Sequence, residues 1–251
     1  MTYIGAIEMK QLGLDLATPR PRFGWGGKRA GAGRKRKGPP RHAHGVRPLL
    51  SSRVPVHVVL RATPEVGKLR RRRAYNGFRR ALLRSLARAD FRVVHISLQR
   101  HHVHLIVEAD DRMALSRGVR GFEISAAREL NAAIAADRRM PRARRGRVFV
   151  DRYHATQLTS PTQTRNAIAY VLNNWRHHRE DREALRGAAV DPYSSGISFG
   201  GWAGRGATPF AWPRDREPLP VAFPTVWLLT TGWRRGGPLV SLREVPGEGA
   251  E

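Results

Sequence analysis

Val94-His-Ile-Ser-Leu-Gln-Arg-His-His-Val-His-Leu-Ile-Val-Glu108 is the stretch on which the reading of this chain turns. Side chains alternate between faces along a β-strand. Written as a strand, residues 102–109 place Val103, Leu105, Val107 and Ala109 on one face. His102, His104, Ile106 and Glu108 fall on the other. The first set reads as core. The second puts two imidazoles side by side, roughly 6–7 Å apart along the chain, a separation that one metal ion bridges. Most His-x-His pairs on strands are simply solvated or hydrogen-bonded, so the pair needs a second element before it counts as a site.

That element is Arg165-Asn-Ala-Ile-Ala-Tyr-Val-Leu-Asn-Asn-Trp-Arg-His-His178. Ile168, Val171, Leu172 and Trp175 recur at helical spacing and define one apolar face. Tyr170, Asn174 and His177 share another face at i, i+4 and i+7. Tyr170 therefore points away from the packing face, a poor place for a structural tyrosine and a good one for a nucleophile. Among its competitors, Tyr153 has no partner one turn on, Tyr75 sits on a core face, and Tyr193 lies in a loop beside Pro192.

Together these pieces resemble the single-tyrosine HUH transposases, the enzymes of certain small bacterial insertion sequences (IS200/IS605-like) and their REP-associated tyrosine transposase relatives. The matching segments are Val-His-Val-Val-Leu (56–60), Gln-x-x-His-Val-His-Leu-Ile-Val-Glu (99–108), Arg-Tyr-His (152–154) and Ala-Tyr-Val-Leu-Asn-Asn (169–174). They cover about residues 51–180 in family order. The resemblance implies a metal site of His102, His104 and Asn174, with Mg or Mn as the ion. It also implies Tyr170 as nucleophile in the cleavage and rejoining of single-stranded or hairpin DNA through a 5′-phosphotyrosine. Imidazole ligands by themselves favour Zn, Ni, Cu or Mn, so Mg is carried by the resemblance alone. His101 stands where the family often has Asn, and is an accessory candidate with Glu108, His154 and His177.

Composition bounds the partners. The 251 residues carry 46 Lys+Arg against 20 Asp+Glu, a net charge of +26. Such an excess predicts a polyanionic partner, and nucleic acid foremost, because binding releases its counterions. A general arginine bias would scatter the charge, whereas here it clusters. The runs include Lys28, Arg29, Arg34, Lys35, Arg36 and Lys37, and then Arg70, Arg71, Arg72 and Arg73. These are the candidate DNA contacts. No cysteine is present, which excludes a disulfide scaffold and thiolate ligands and fits a reducing, cytoplasmic, nucleoid-associated setting. No apolar run approaches the length of a membrane span.

Along the chain, residues 1–50 read as a flexible basic arm without periodicity. His42 and His44 repeat the His-x-His spacing there but have no apolar strand beneath them. From Val54 the pattern becomes a strand (54–60), a helix (67–89), a strand (91–98), the histidine strand, a helix (112–136) and a strand from Val148 towards Leu158. The tyrosine helix follows Ser160-Pro161. The expected fold is α+β: a ferredoxin-like βαββαβ core, an antiparallel sheet with helices on one face, plus a C-terminal tyrosine-bearing helix and irregular extensions. Residues 51–180 form the transposase-like domain and 181–251 an extension. In that extension Trp202, Trp212, Trp227 and Trp233 either anchor it to the core, the preferred reading, or stack on bases.

Four functions compete. The first is a DNA strand transferase. The second is a domesticated, non-catalytic hairpin-DNA binder. The third is a replication initiator or relaxase, disfavoured by the short chain and single candidate tyrosine. The fourth is a ferredoxin-like RNA binder, which would want paired aromatics where histidines stand. A pure binder needs neither the histidine pair nor Tyr170, which favours the first. The motifs are compatible with a monomer or a homodimer.

Overall fold

The computed structural model describes residues 48–150, 152–179, 190–204, 213 and 216–245. The basic arm with Lys28, Arg29, Arg34, Lys35, Arg36 and Lys37, and Trp212, lie outside them. Four strands, β1 (Val56–Arg61), β2 (Phe91–Leu98), β3 (His102–Ala109) and β4 (His154–Gln157), form one sheet in the order β2-β3-β1-β4. Every pairing is antiparallel. Helices α1 (Arg72–Ser85) and α2 (Arg112–Asp137) follow β1 and β3. This is the split βαβ topology expected from the sequence.

The first face of the sheet is sealed by apolar burial. Val58, Leu60, Val103, Leu105 and Val107 are almost fully buried with Tyr75, Phe78 and Leu82 of α1 and Phe122 and Leu130 of α2. Gly118 lets α2 close on the sheet, since a Cβ there would lie 2.1 Å from the Phe91 ring. Asp111 caps the helix by accepting from the Ala114 amide at 2.6 Å.

Two elements are shorter than expected. Gly67 has a φ of 75° and Arg71 is extended, so α1 starts at Arg72 instead of 67. Strand β4 begins at His154, and residues 148–150 stay outside it: Phe149 forms an isolated bridge to Ala62, flanked by hydrogen bonds from the Thr63 amide to the Val148 carbonyl and from the Val150 amide to the Arg61 carbonyl.

The second face is covered by α3 (Pro161–His177). Its first turn is set by Pro161 and by Ser160, whose hydroxyl accepts from the Gln163 amide at 3.2 Å. Ile168, Val171 and Leu172 join Val94 and Ile106 in a second core, completed by Phe199, Trp202, Leu229, Trp233 and Val240. Trp202 and Trp233 thus anchor the C-terminal segment, as preferred from sequence. Trp227 instead lies half exposed under the Arg235 guanidinium.

That segment also straps the outer side of α3. Arg165 pairs with Glu244 and donates to the Pro238 carbonyl at 3.0 Å. Asn173 donates to the Ser241 carbonyl at 2.9 Å, and Arg176 to that of Leu242 at 2.9 Å. Gly236 approaches the Pro161 backbone so closely that a Cβ would sit 2.4 Å from it. Ten of the 17 residues of α3 are buried, so the helix is held from both sides and not by one face alone.

Glu108 explains the strap's origin and corrects its reading as a fourth ligand. It is fully buried and accepts from Arg92 Nε at 2.9 Å, the Thr225 amide at 2.8 Å and hydroxyl at 2.7 Å, and the Val226 amide at 2.9 Å. Its oxygens are committed to holding residues 225–226 against β3. Glu108→Ala leaves these donors unpaired and is expected to cost about 3 kcal/mol. Urea unfolding measures that loss, and hydrogen exchange should show faster exchange in residues 225–245 than in α2.

Candidate active site

The second face of the sheet carries a row of histidines. The alternation that buries Val56 and Val58 turns His57 to the opposite side of β1, and the same alternation does so for His102 and His104 on β3. Antiparallel pairing sets Val59 across from His104 and Arg61 across from His102. Helix α3 then lays Tyr170 and Asn174, one turn apart, over this row. The Tyr170 ring centroid lies 5.4 Å from His104 and 5.9 Å from His57, edge-on to both. The His57 and His104 rings stack at 5.4 Å, and His102 lies 6.3 Å from His104.

His104 is the centre of a short polar chain. Asn174 Nδ2 lies 3.3 Å from its Nε2, and His57 Nε2 lies 3.2 Å from its Nδ1. With the amide nitrogen as donor, Nε2 must be the acceptor, so the proton of the neutral ring sits on Nδ1 and is donated to His57. His57 thereby fixes the tautomer that turns the His104 Nε2 lone pair towards α3. Burial holds His104 neutral, with its pKa depressed to about 3, helped by repulsion from His57 and His102. Burial and then His154 lower His57 to about 4. His102 is also lowered, first by burial and then by Arg61, His101 and His178. All are therefore neutral imidazoles at neutral pH, the form that binds metals.

Among the described residues, no group of three or more His, Cys, Asp or Glu side chains is disposed to hold a metal ion. The donor set that remains is two imidazoles and an amide. Asn174 is completely buried, and its Oδ1 has no hydrogen-bond partner. An orphaned amide oxygen beside a neutral imidazole fits a divalent cation shared by His102, His104 and Asn174 once the Asn174 amide turns its oxygen, in place of Nδ2–H, towards His104 Nε2.

The other sequence candidates separate. His154 lies across from Val59 on the same face, exposed, with Thr156 Oγ1 at 3.3 Å. His177 is exposed on the helix end, and its ring meets His178 at 5.2 Å. It is His178 that lines a cavity with His101 and His102. His101 itself sits exposed in the β2–β3 turn. Of the arginine run, Arg70 is not a surface contact: it is bidentate to buried Asp191 at 2.8 and 2.9 Å and stacks on Tyr193. Arg73 pairs with Asp137 at 2.9 Å, while Arg71 and Arg72 are exposed.

Sequence reasoning missed His57 and His178. His57 carried a usable signal, since it interrupts an apolar strand at the non-core alternation, as His102 and His104 do.

Residues 51–174 match the profile of the family described as "Transposase IS200 like". This segment belongs to that family. Its members are transposases, so the segment is of a DNA-processing type. No curated protein matches the chain closely enough to count as a relative. Among solved structures, this chain is similar to one described as a REP-associated tyrosine transposase bound to a REP hairpin. That match has 12% identity and a TM-score of 0.43, over 61% of this chain and 82% of that one. No helix among the described residues is long and apolar enough to cross a membrane.

His57→Phe preserves ring bulk and removes the acceptor. In wild type, ¹⁵N chemical shifts of the His104 ring should report a proton on Nδ1. In the variant that preference should collapse into a mixture of tautomers, with the sheet intact by circular dichroism. An unchanged tautomer would assign its control to Asn174 alone.

Proposed function

We propose that this transposase domain cleaves and rejoins single-stranded DNA next to a hairpin, with Tyr170 as nucleophile. One observation carries the reading: within a single chain, the Tyr170 ring lies against His104 and His57 while Asn174, one turn on, touches the same His104. A phenol packed against neutral imidazoles has no structural need of them, whereas a phosphoryl-transfer site needs all of these groups. The family match supports the reaction class, and the charge of +26 supports the polyanionic partner.

In this scheme Tyr170 Oη forms a bond to phosphorus in line with the departing 3′-oxygen. The P–O3′ bond breaks, the phenol proton is lost, and the 3′-oxygen leaves as a hydroxyl once protonated. The 5′-phosphotyrosine retains the energy of the broken phosphodiester, so another 3′-OH reverses the step without ATP. His102, His104 and Asn174 would hold a divalent ion, Mg or Mn, which when bound polarises the scissile phosphate and neutralises charge as it develops. Arg61, beside His102 on the exposed edge of the row, faces the same charge. Helix α3 is strapped to its own sheet, so the tyrosine and the histidines it serves come from one subunit in this arrangement.

A second reading has one observation in its favour. Both ring nitrogens of His104 already have protein partners, which suits a non-catalytic hairpin-DNA binder that keeps the network for structure. The experiment that separates them uses hairpin DNA from the sequence flanking the gene, end-labelled, with Mn or Mg, and a denaturing gel. Cleavage predicts a metal-dependent covalent adduct in wild type that Tyr170→Phe abolishes by at least about a thousandfold, the scale on which loss of a nucleophile acts. A tight complex without adduct, across several flanking hairpins and both metals, assigns the protein to the binding class.

A further inference from the structure

Beside the polar row, the β2–β3 turn and the end of α3 enclose a cavity of about 320 Å³. Its walls are Lys68, Arg70, Gln99, Arg100, His101, His102, His178 and Arg179. Every ionisable group in that wall is basic. Behind this wall Arg70 pairs with the buried carboxylate of Asp191. Lys68, Arg100 and Arg179 are exposed, so their cationic heads stand at the rim.

The floor carries a second, independent feature. Gln99 is 1% exposed, yet its Oε1 has no hydrogen-bond partner, while its Nε2 lies 2.6 Å from Ser97 Oγ. A buried amide atom left without a partner costs free energy comparable to a lost hydrogen bond. The turn that carries it is rigidly held. The Gln99 amide donates to the His102 carbonyl at 2.8 Å, the Leu69 amide to the Arg100 carbonyl at 2.9 Å, and the Ala62 amide to the His101 carbonyl at 2.9 Å. The unsatisfied amide is thus built into a fixed wall and is not the accident of a loose loop.

Cations at the rim, an amide edge in the floor and a volume at the lower end of the range for ligand cavities describe a receptor for one nucleotide. An amide is the side-chain group that reads base edges through paired donor and acceptor. An unpaired base turned out of the stack exposes such an edge. His102 is shared with the proposed metal site, so a nucleotide held here is joined through its own phosphodiester to the reacting phosphate.

We propose that this cavity is a specificity pocket for a single unpaired nucleotide adjoining the cleavage position. Lys68, Arg100 and Arg179 take the phosphate, and the Gln99 amide selects the base. The proposal rests on the DNA-cleavage reading for its place in the reaction, but its binding test does not require cleavage.

The test is titration of the full chain with each of the four deoxynucleoside 5′-monophosphates, and with inorganic phosphate, followed by the ring signals of His101, His102 and His178 in NMR spectra. One nucleotide should bind about tenfold more tightly than the others, the scale of a good amide–base pair. Inorganic phosphate should move the same signals only at higher concentration. Gln99→Met, nearly isosteric, should level the four nucleotides. Lys68→Ala, an exposed change that leaves the floor intact, should weaken all four together without altering their ranking. Equal binding of all four nucleotides by wild type, or phosphate shifts that match theirs at equal concentration, would overturn the pocket's assignment. Loss of the covalent adduct with an intact nucleotide preference would instead count against the cleavage reading alone.

Discussion

A histidine only 6% exposed between a β-sheet and a helix has to be neutral and has to be hydrogen-bonded. His104 meets both demands, and the local architecture follows from how it does so. Its Nδ1 requires an acceptor on the neighbouring strand, which the antiparallel register provides as His57. Its Nε2 requires a partner from above, which α3 provides as Asn174. Tyr170 is then fixed by helical geometry, one turn before Asn174 and against both rings. The proposed nucleophile is positioned by the same contacts that make the buried imidazole tolerable.

Such an arrangement works only if α3 cannot drift. Apolar packing of Ile168, Val171 and Leu172 against the sheet fixes its inner side, and the strap of residues 236–244 fixes its outer side. The strap is itself anchored by Glu108, two residues along the face from Ile106 and four from His104. A single strand therefore carries both histidines of the proposed metal site and the clamp that keeps the tyrosine helix over them. The C-terminal segment is part of the site's scaffold and not an appendage to it.

What was legible in the sequence follows period and local chemistry. Strict alternation over 102–109 gave β3 and its two faces, and Ser160-Pro161 with helical apolar spacing gave α3 and its first residue. The βαββαβ order then followed. Partnerships between distant segments were not legible. Glu108 looked like a ligand because nothing local reveals that its donors lie at Thr225 and Val226. Arg70 looked like a DNA contact because charge alone cannot distinguish it from an arginine paired with Asp191, 121 positions away. His57 needed the register of β1 on β3 before its meeting with His104 was visible. Residues 148–150 had strand-like composition, yet they meet residues 61–63 through two backbone hydrogen bonds and one isolated bridge and do not extend β4.

The central claim is that this histidine row is a metal site facing a tyrosine, and manganese tests it most directly. Mn²⁺ added in substoichiometric amounts to protein labelled at histidine and tyrosine broadens NMR signals steeply with proximity. The account predicts that His102, His104 and Tyr170 broaden first and together, and that Asn174→Ala weakens the effect. Broadening confined to exposed His101, His177 and His178, with His104 and Tyr170 left sharp, would contradict it and make His104 a structural histidine in a binding protein.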